Sequence, residues 1–412
     1  MHKLATKLLL ALTIFPALGQ AAESEDSIFS FDAFGTLGIV HSDEDKADFR
    51  ANSLHNDGVG SSKSVAANID SLIGGQVTAQ VNDKLTAVLQ VISQRKPDGK
   101  YTPDIEWANL RYQLTPELSV RAGRSVLATF LESTYHNIGY ANHWVRPPVE
   151  VYGLVPITSR DGISANYTFV REDMLNSLEI TYGETNTDLA DGSSVSAKKS
   201  LGIANTFELG DLTIHASYQA GTLDINSYDA LIAAFKLFGP AGDKLATYYD
   251  PNDSKLSFIG IGASYDPGQW FLKAEWGQTK SDSIVGEKSG AYVSGGYRIG
   301  RLTPYLTLAK ARGESFPAES TLDLSTLPPS LVFFGGALNQ ALLEFQATTS
   351  PVQDSISVGL RWEVNRRVAF SAQLDHSNMK KGSTGNLTNL QPGFEPGGSL
   401  NLISASLSFV FP

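Results

Sequence analysis

A chain of 412 residues with no cysteine has no disulfide framework and no thiolate metal site. A formal net charge of -11 and a pI near 5.1 make it a poor match for nucleic acid. Mean hydropathy is -0.11, and beyond the N-terminus no apolar run reaches the roughly 20 residues that a membrane-spanning helix needs.

The N-terminus opens with Lys3 and Lys7, continues through an apolar stretch from Leu8 to Ala17, and then offers the small residues Gly19, Ala21 and Ala22. That order describes a secretory signal peptide over residues 1–21, cleaved near Gly19 or Ala21. The apolar stretch is too short to span a bilayer as a helix. Residues 22–412 then form the exported chain, and no linker divides it.

From there the sequence reads in period two. Over residues 69–81 one face carries Ile69, Ile73, Val77, Ala79 and Val81, the other Asp70, Gln76, Thr78 and Gln80. A tight turn at Asn82-Asp83-Lys84 leads to Leu85, Ala87, Leu89 and Val91 against Thr86 and Gln90, which makes a hairpin. The same unit recurs and gives sixteen expected strands. The first eight are 29–41, 69–81, 85–94, 104–114, 118–124, 161–170, 177–184 and 200–208. The second eight are 212–220, 254–265, 270–279, 289–299, 302–311, 354–364, 368–376 and 399–411. Short connections such as Asp266-Pro267-Gly268 and Gly300-Arg301 alternate with long ones near 42–68, 95–103, 125–160, 185–199, 221–253, 280–288, 312–353 and 377–398. The segment 226–237 reads as a short amphipathic helix in one of them.

An even strand number with short turns at one rim and long loops at the other is the pattern of an all-β transmembrane antiparallel barrel with periplasmic turns and extracellular loops. Tyr112, Phe169, Phe207, Tyr265, Trp270, Tyr297 and Trp362 flank the short turns, and Tyr182, Tyr218 and Trp276 lie near the opposite strand ends. Two aromatic belts at two bilayer interfaces would look like this. In the last strand Ile403, Ala405, Leu407, Phe409 and Phe411 alternate with Ser404, Ser406 and Ser408, although the chain ends in Pro412. Lipid outside and water inside satisfy both faces of such strands, and closure removes their unpaired edges.

In this organisation the chain resembles the sixteen-stranded porins of Gram-negative bacteria, and the stretches RAGR at 121–124 and YANHWVRPPVEVY at 140–152 look like one proteobacterial branch of them. The resemblance implies a loop after the fifth strand, here 125–160, that folds inward and narrows a water-filled channel. Carried over by position, it implies a pore constriction built from Arg111, Arg121 and Arg124 on the wall with Glu132, Arg146 and Glu150 on the loop. Alternation points Arg111 (with Asn109 and Gln113) and Arg121 (with Ser119 and Gly123) inward. The alternative is that these arginines only pair with acids and stiffen the wall. Pro147-Pro148 pins the loop extended, so that His143 and Trp144 form either a ridge in the pore or a packing contact with the wall.

The resemblance further implies a homotrimer in the outer membrane, in contact with lipid and lipopolysaccharide and passing small hydrophilic solutes and ions. Passive diffusion is the first reading. A substrate-selective channel for small anions or organic acids is the second, and a surface barrel for adhesion or anchoring the third. No cofactor is expected. Asp43, Glu44, Asp45 and Asp48 supply oxygen ligands for a divalent ion, but solvated loop charge explains them as well. None of the 7 histidines sits in a recognisable Ser/His motif, so no enzyme is expected.

Overall fold

The computed structural model describes residues 27–313 and 321–411. The expected signal peptide at 1–21 and the terminal Pro412 lie outside the described residues. Sixteen antiparallel strands form the wall. In chain order they are β1 (Phe29–Ser42), β2 (Leu72–Gln80), β3 (Leu85–Gln94), β4 (Asp104–Gln113), β5 (Leu118–Val126), β6 (Ser159–Arg171), β7 (Met174–Asp188) and β8 (Ser194–Leu209). There follow β9 (Leu212–Ile225), β10 (Ser254–Tyr265), β11 (Trp270–Ser281), β12 (Glu287–Tyr297), β13 (Leu302–Gly313), β14 (Gln353–Asn365), β15 (Val368–Met379) and β16 (Gly398–Phe411). Each strand pairs with the next. The barrel closes because β1 pairs on one side with β2, Phe31 opposite Val77, and on the other with β16, Leu37 opposite Leu407.

The two faces differ as period two requires. Leu37, Ile73, Leu89, Leu110, Ile163, Ile261, Val358 and Ile403 point outward with no protein over them, whereas Thr36, Gln90, Ser119, Ser164, Ser294, Thr307 and Ser406 are buried on the inner face. An outer surface this apolar is stable only in lipid. Tyr112, Phe169, Tyr265, Trp270, Tyr297 and Trp362 are exposed beside the short turns, and Tyr182, Tyr218 and Trp276 nearer the other rim. Above that second belt the outer face turns ionic, with pairs Lys198–Asp224 and Lys280–Glu287, and with Lys310, Arg312 and Lys380 gathered around Asp354.

The connections differ from expectation where strands leave the bilayer. β7 and β8 meet in a hairpin of residues 189–193, not a loop over 185–199, and β11 and β12 meet over 282–286. Pairing continues past the lipid, but the apolar half of the alternation stops there, so sequence patterning ends too early. β2 begins at Leu72, and Ile69 packs instead in a cluster of the first loop with Val40, Phe49 and Val59.

Among the described residues four α-helices lie in the long connections: α1 (Val149–Tyr152), α2 (Asp229–Lys236), α3 (Gly239–Tyr249) and α4 (Pro329–Thr349). α2 falls within the helix expected over 226–237. α2, α3 and α4 share a small core of Ile232, Phe235, Tyr249 and Leu342 over the mouth of the barrel. Among the described residues no helix is long and apolar enough to cross a membrane. The strands do the crossing.

Candidate functional site: the inward loop and the wall it leaves open

The connection from β5 to β6, residues 127–158, enters the barrel. Its seat is aromatic. β10 to β13 turn Phe258, Phe271, Tyr292 and Tyr305 inward, and the loop covers them with Phe130, Trp144, Val151, Tyr152 and Leu154. The Phe130 ring stands 4.7 Å from Tyr152 and 5.3 Å from Phe258. The inner wall is therefore not uniformly polar. Its apolar stripe is a binding face for the chain's own loop.

Backbone fit completes the seat. Gly290 on β12 lies under α1, and a Cβ there would come within 1.9 Å of the Glu150 carbonyl oxygen. Only glycine permits that approach. The Arg361 guanidinium on β14 donates to the carbonyls of Asn142 and Tyr140, each at 2.7 Å. The Gln373 side-chain oxygen accepts from the Val145 N–H at 3.0 Å and from the Tyr305 hydroxyl at 2.8 Å.

Three of the residues expected at the constriction are parts of this anchoring. Arg146 is buried and donates twice to Asp70, at 2.8 and 2.7 Å, and once to Asp375 at 3.1 Å. Burial opposes its charge, but the two aspartates outweigh burial and hold its pKa above the ordinary arginine value. Glu132 is 1 % exposed and pairs with Lys273 of β11. Glu150 is buried and accepts from Gln353 and Ser355 of β14. Burial raises the pKa of both carboxyls. His143 and Trp144 are buried too, His143 bonded to Ser294 at 2.9 Å, so they pack on the wall and form no ridge. His136 stacks on Tyr152 at 5.5 Å, and burial pushes its pKa down to about 4.

The wall opposite keeps its cations. Arg111 on β4 and Arg121 on β5 are directly paired across the strands. Their neighbours Leu110, Tyr112 and Val120 are exposed to lipid, so both arginines point inward. Arg121 Nη1 is 3.9 Å from Glu179 Oε1, and Arg111 has no ion pair among the described residues. Arg124 stands apart. It is paired with Asp161 on the face that carries Ala122 and Ile163, and its guanidinium holds that carboxylate at 2.9 and 2.6 Å. Its position is the outer face near the long-loop rim, because the step from 121 to 124 reverses parity. The structure thus groups Arg111 with Arg121 on one side of the lumen and Glu132, Arg146 and Glu150 in the loop's attachment. The partners Asp70, Lys273, Arg361, Gln373 and Asp375 were not singled out from sequence. A polar or charged residue on the inward parity of an expected strand was the available signal for each of them, Asp70 included, although the structure places Asp70 just before β2.

Among the first-loop acids, Asp48 is fully buried and accepts from Ser62 N at 2.8 Å, Ser62 Oγ at 2.5 Å and Asn389 Nδ2 at 2.8 Å. It ties two loops together. Among the described residues no cluster could hold a metal ion.

Solved outer-membrane proteins share this fold. The barrel has the porin fold. Over 93% of this chain and 97% of the other, it superposes on OmpF of Salmonella typhi, solved in complex with daunomycin, with a TM-score of 0.55 at 12% identity. It matches the outer-membrane channel DcaP of Acinetobacter baumannii over 92% and 97% of the two chains, with a TM-score of 0.52 at 11% identity. OmpT, an outer membrane protein of Vibrio cholerae, matches over 95% and 100% with a TM-score of 0.51 at 11% identity, and has also been solved in a trimer form. No family model and no curated protein matches the sequence. At these identities the likeness is one of fold.

Proposed function

We propose that this porin-like barrel sits in the outer membrane, exported through a cleaved signal peptide, and passes small hydrophilic solutes and ions by passive diffusion. The observation that carries the reading is the one-sided attachment of the inward loop. It is held against β9 to β16 and β1, whereas Arg111 on the wall of β4 and β5 is exposed. In this reading the channel runs between the loop and these arginines. In this reading Arg111 and Arg121 are the pore residues, while Glu132, Arg146 and Glu150 set the width by fixing the loop. Arg124 belongs to the outer rim, where the ionic girdle meets the phosphorylated head groups of lipopolysaccharide. The trimer form of the Vibrio cholerae protein supports a homotrimer here.

A second reading, a channel selective for small anions or organic acids, draws on the same pair. Like charges set directly opposite on neighbouring strands destabilise a sheet. They pay for themselves if an anion passes between loop and wall. Single-channel recording in planar bilayers tests both readings. Ohmic, unsaturated conductance supports passive diffusion, saturation by one anion supports selectivity, and absence of conductance rejects both. Arg121→Glu should move the reversal potential in a salt gradient toward cation preference. An unchanged potential would take Arg121 out of the pore.

A further inference from the structure

Above the inward loop, under the helices of the outer connections, lies a cavity of about 520 Å³. It falls in the size range of ligand sites, roughly 300–1,000 Å³. Its wall is mainly apolar, with Leu154, Leu223, Leu256, Val285, Tyr228 and Phe345. The Tyr228 and Phe345 rings stand 4.4 Å apart. Three cations line the cavity, Lys288 of β12, Arg50 of the first long loop and Arg160 of β6, and of its two carboxylates, Glu150 and Asp191, the first is taken up by Gln353 and Ser355. Lys288 lies on the inward parity of its strand, two residues above Gly290, on which α1 rests. The Arg50 guanidinium is held in place by the carbonyls of Ser53 at 2.8 Å and His55 at 3.1 Å. Arg50, Tyr228 and Lys288 all line the cavity. Lys288 makes no hydrogen bond or ion pair among the described residues.

A half-buried ammonium without an acceptor among the described residues, set in apolar surface, is costly when empty and favourable when an anion binds it. The geometry points to a binding site for an amphipathic anion, an aromatic carboxylate, with its carboxylate on Lys288 and its ring against Tyr228, Phe345 and Val285. The inference rests on the channel reading, because it names a class of solute that the vestibule collects before the constriction. A second inner-wall cation leads downward from the same cavity. Arg160 at the top of β6 donates to Thr181, to Ser200 at 3.2 Å and to Gln219 at 2.6 Å, and has no carboxylate in ion-pair range among the described residues. Ser164, two repeats of the pleat below it on that face, is paired with Arg121. An anion leaving the vestibule toward β6 therefore meets Arg160, then Arg121 and Arg111.

The test is calorimetry on the detergent-solubilised full chain with benzoate, acetate and benzylamine as probes. Benzoate should bind at least about tenfold more tightly than acetate, and benzylamine should not bind. Lys288→Met should weaken benzoate by about tenfold or more, the value of one hydrogen bond to a charged group, while Lys288→Arg should retain binding. Heat-modified migration on a gel confirms that each variant is a folded barrel. Benzoate binding equal in Lys288→Met and the parent, or no tighter than acetate, overturns the site. The channel reading is judged apart, by conductance in potassium chloride alone. A Lys288-dependent benzoate site in a chain that conducts nothing would keep the site and remove the channel.

Discussion

Arg146 shows what a single side chain does here. It joins the loop to Asp70 at the foot of β2 and to Asp375 on β15, two points of the wall that flank β1 and β16. Replacing it with alanine leaves two buried carboxylates facing each other, and removing one partner of a buried pair costs about 3–5 kcal/mol. Arg146→Ala should therefore loosen the loop and make residues 127–158 more readily cleaved by limited proteolysis in detergent. A cleavage rate equal to the parent's would show that the loop does not depend on it. Which residues could be placed from sequence follows from where they sit. Arg111 and Arg121 lie in strands, where alternation fixes direction, and the same alternation turns Arg124 outward. Glu132, Arg146 and Glu150 lie in a connection with no period, so nothing in the chain says whether they face water or the wall.

At the scale of elements, period two was legible because lipid demands an apolar residue at every second position. It fades at residues 184–188, where the strand rises above the bilayer and both faces are polar, and at 194–198, where the apolar residues Val195 and Ala197 line the inner cavity instead. α4 was not legible at all. Its apolar residues run round the helix, with Phe333 and Phe334 exposed and Leu342 buried, so no stripe marks it. The contact of α1 with β12 gives an element-level expectation. Gly290→Ala should lift α1 off the wall into the lumen and lower single-channel conductance. Gly295→Ala on the same strand, where a Cβ meets nothing nearer than 3.5 Å, should leave it unaltered. Equal conductance in both variants would remove α1 from the control of the pore width.

For the whole molecule, the even strand count and the alternation of turn lengths were enough to give the barrel. The one-sided interior was not, because it depends on which inward positions a distant loop will cover. The proposed homotrimer makes its own prediction. Unheated protein should migrate on a denaturing gel as a species about three times the monomer mass, and heating should collapse it to one band. Light scattering in mild detergent that finds only monomers would refute it.

The aromatic seat of the loop has a consequence for anyone wishing to enlarge this conduit. Excising residues 127–158 would not yield a wider version of the same hole. It would unveil Phe258, Phe271, Tyr292 and Tyr305 as an oily stripe down one side of the lumen, beside the now unmatched Lys273 and Arg361. Such a tube would foul with detergent, lipid tails or unfolded chain. A broader bore would first require repainting those four positions with serine or threonine, as the rest of the inner surface already is.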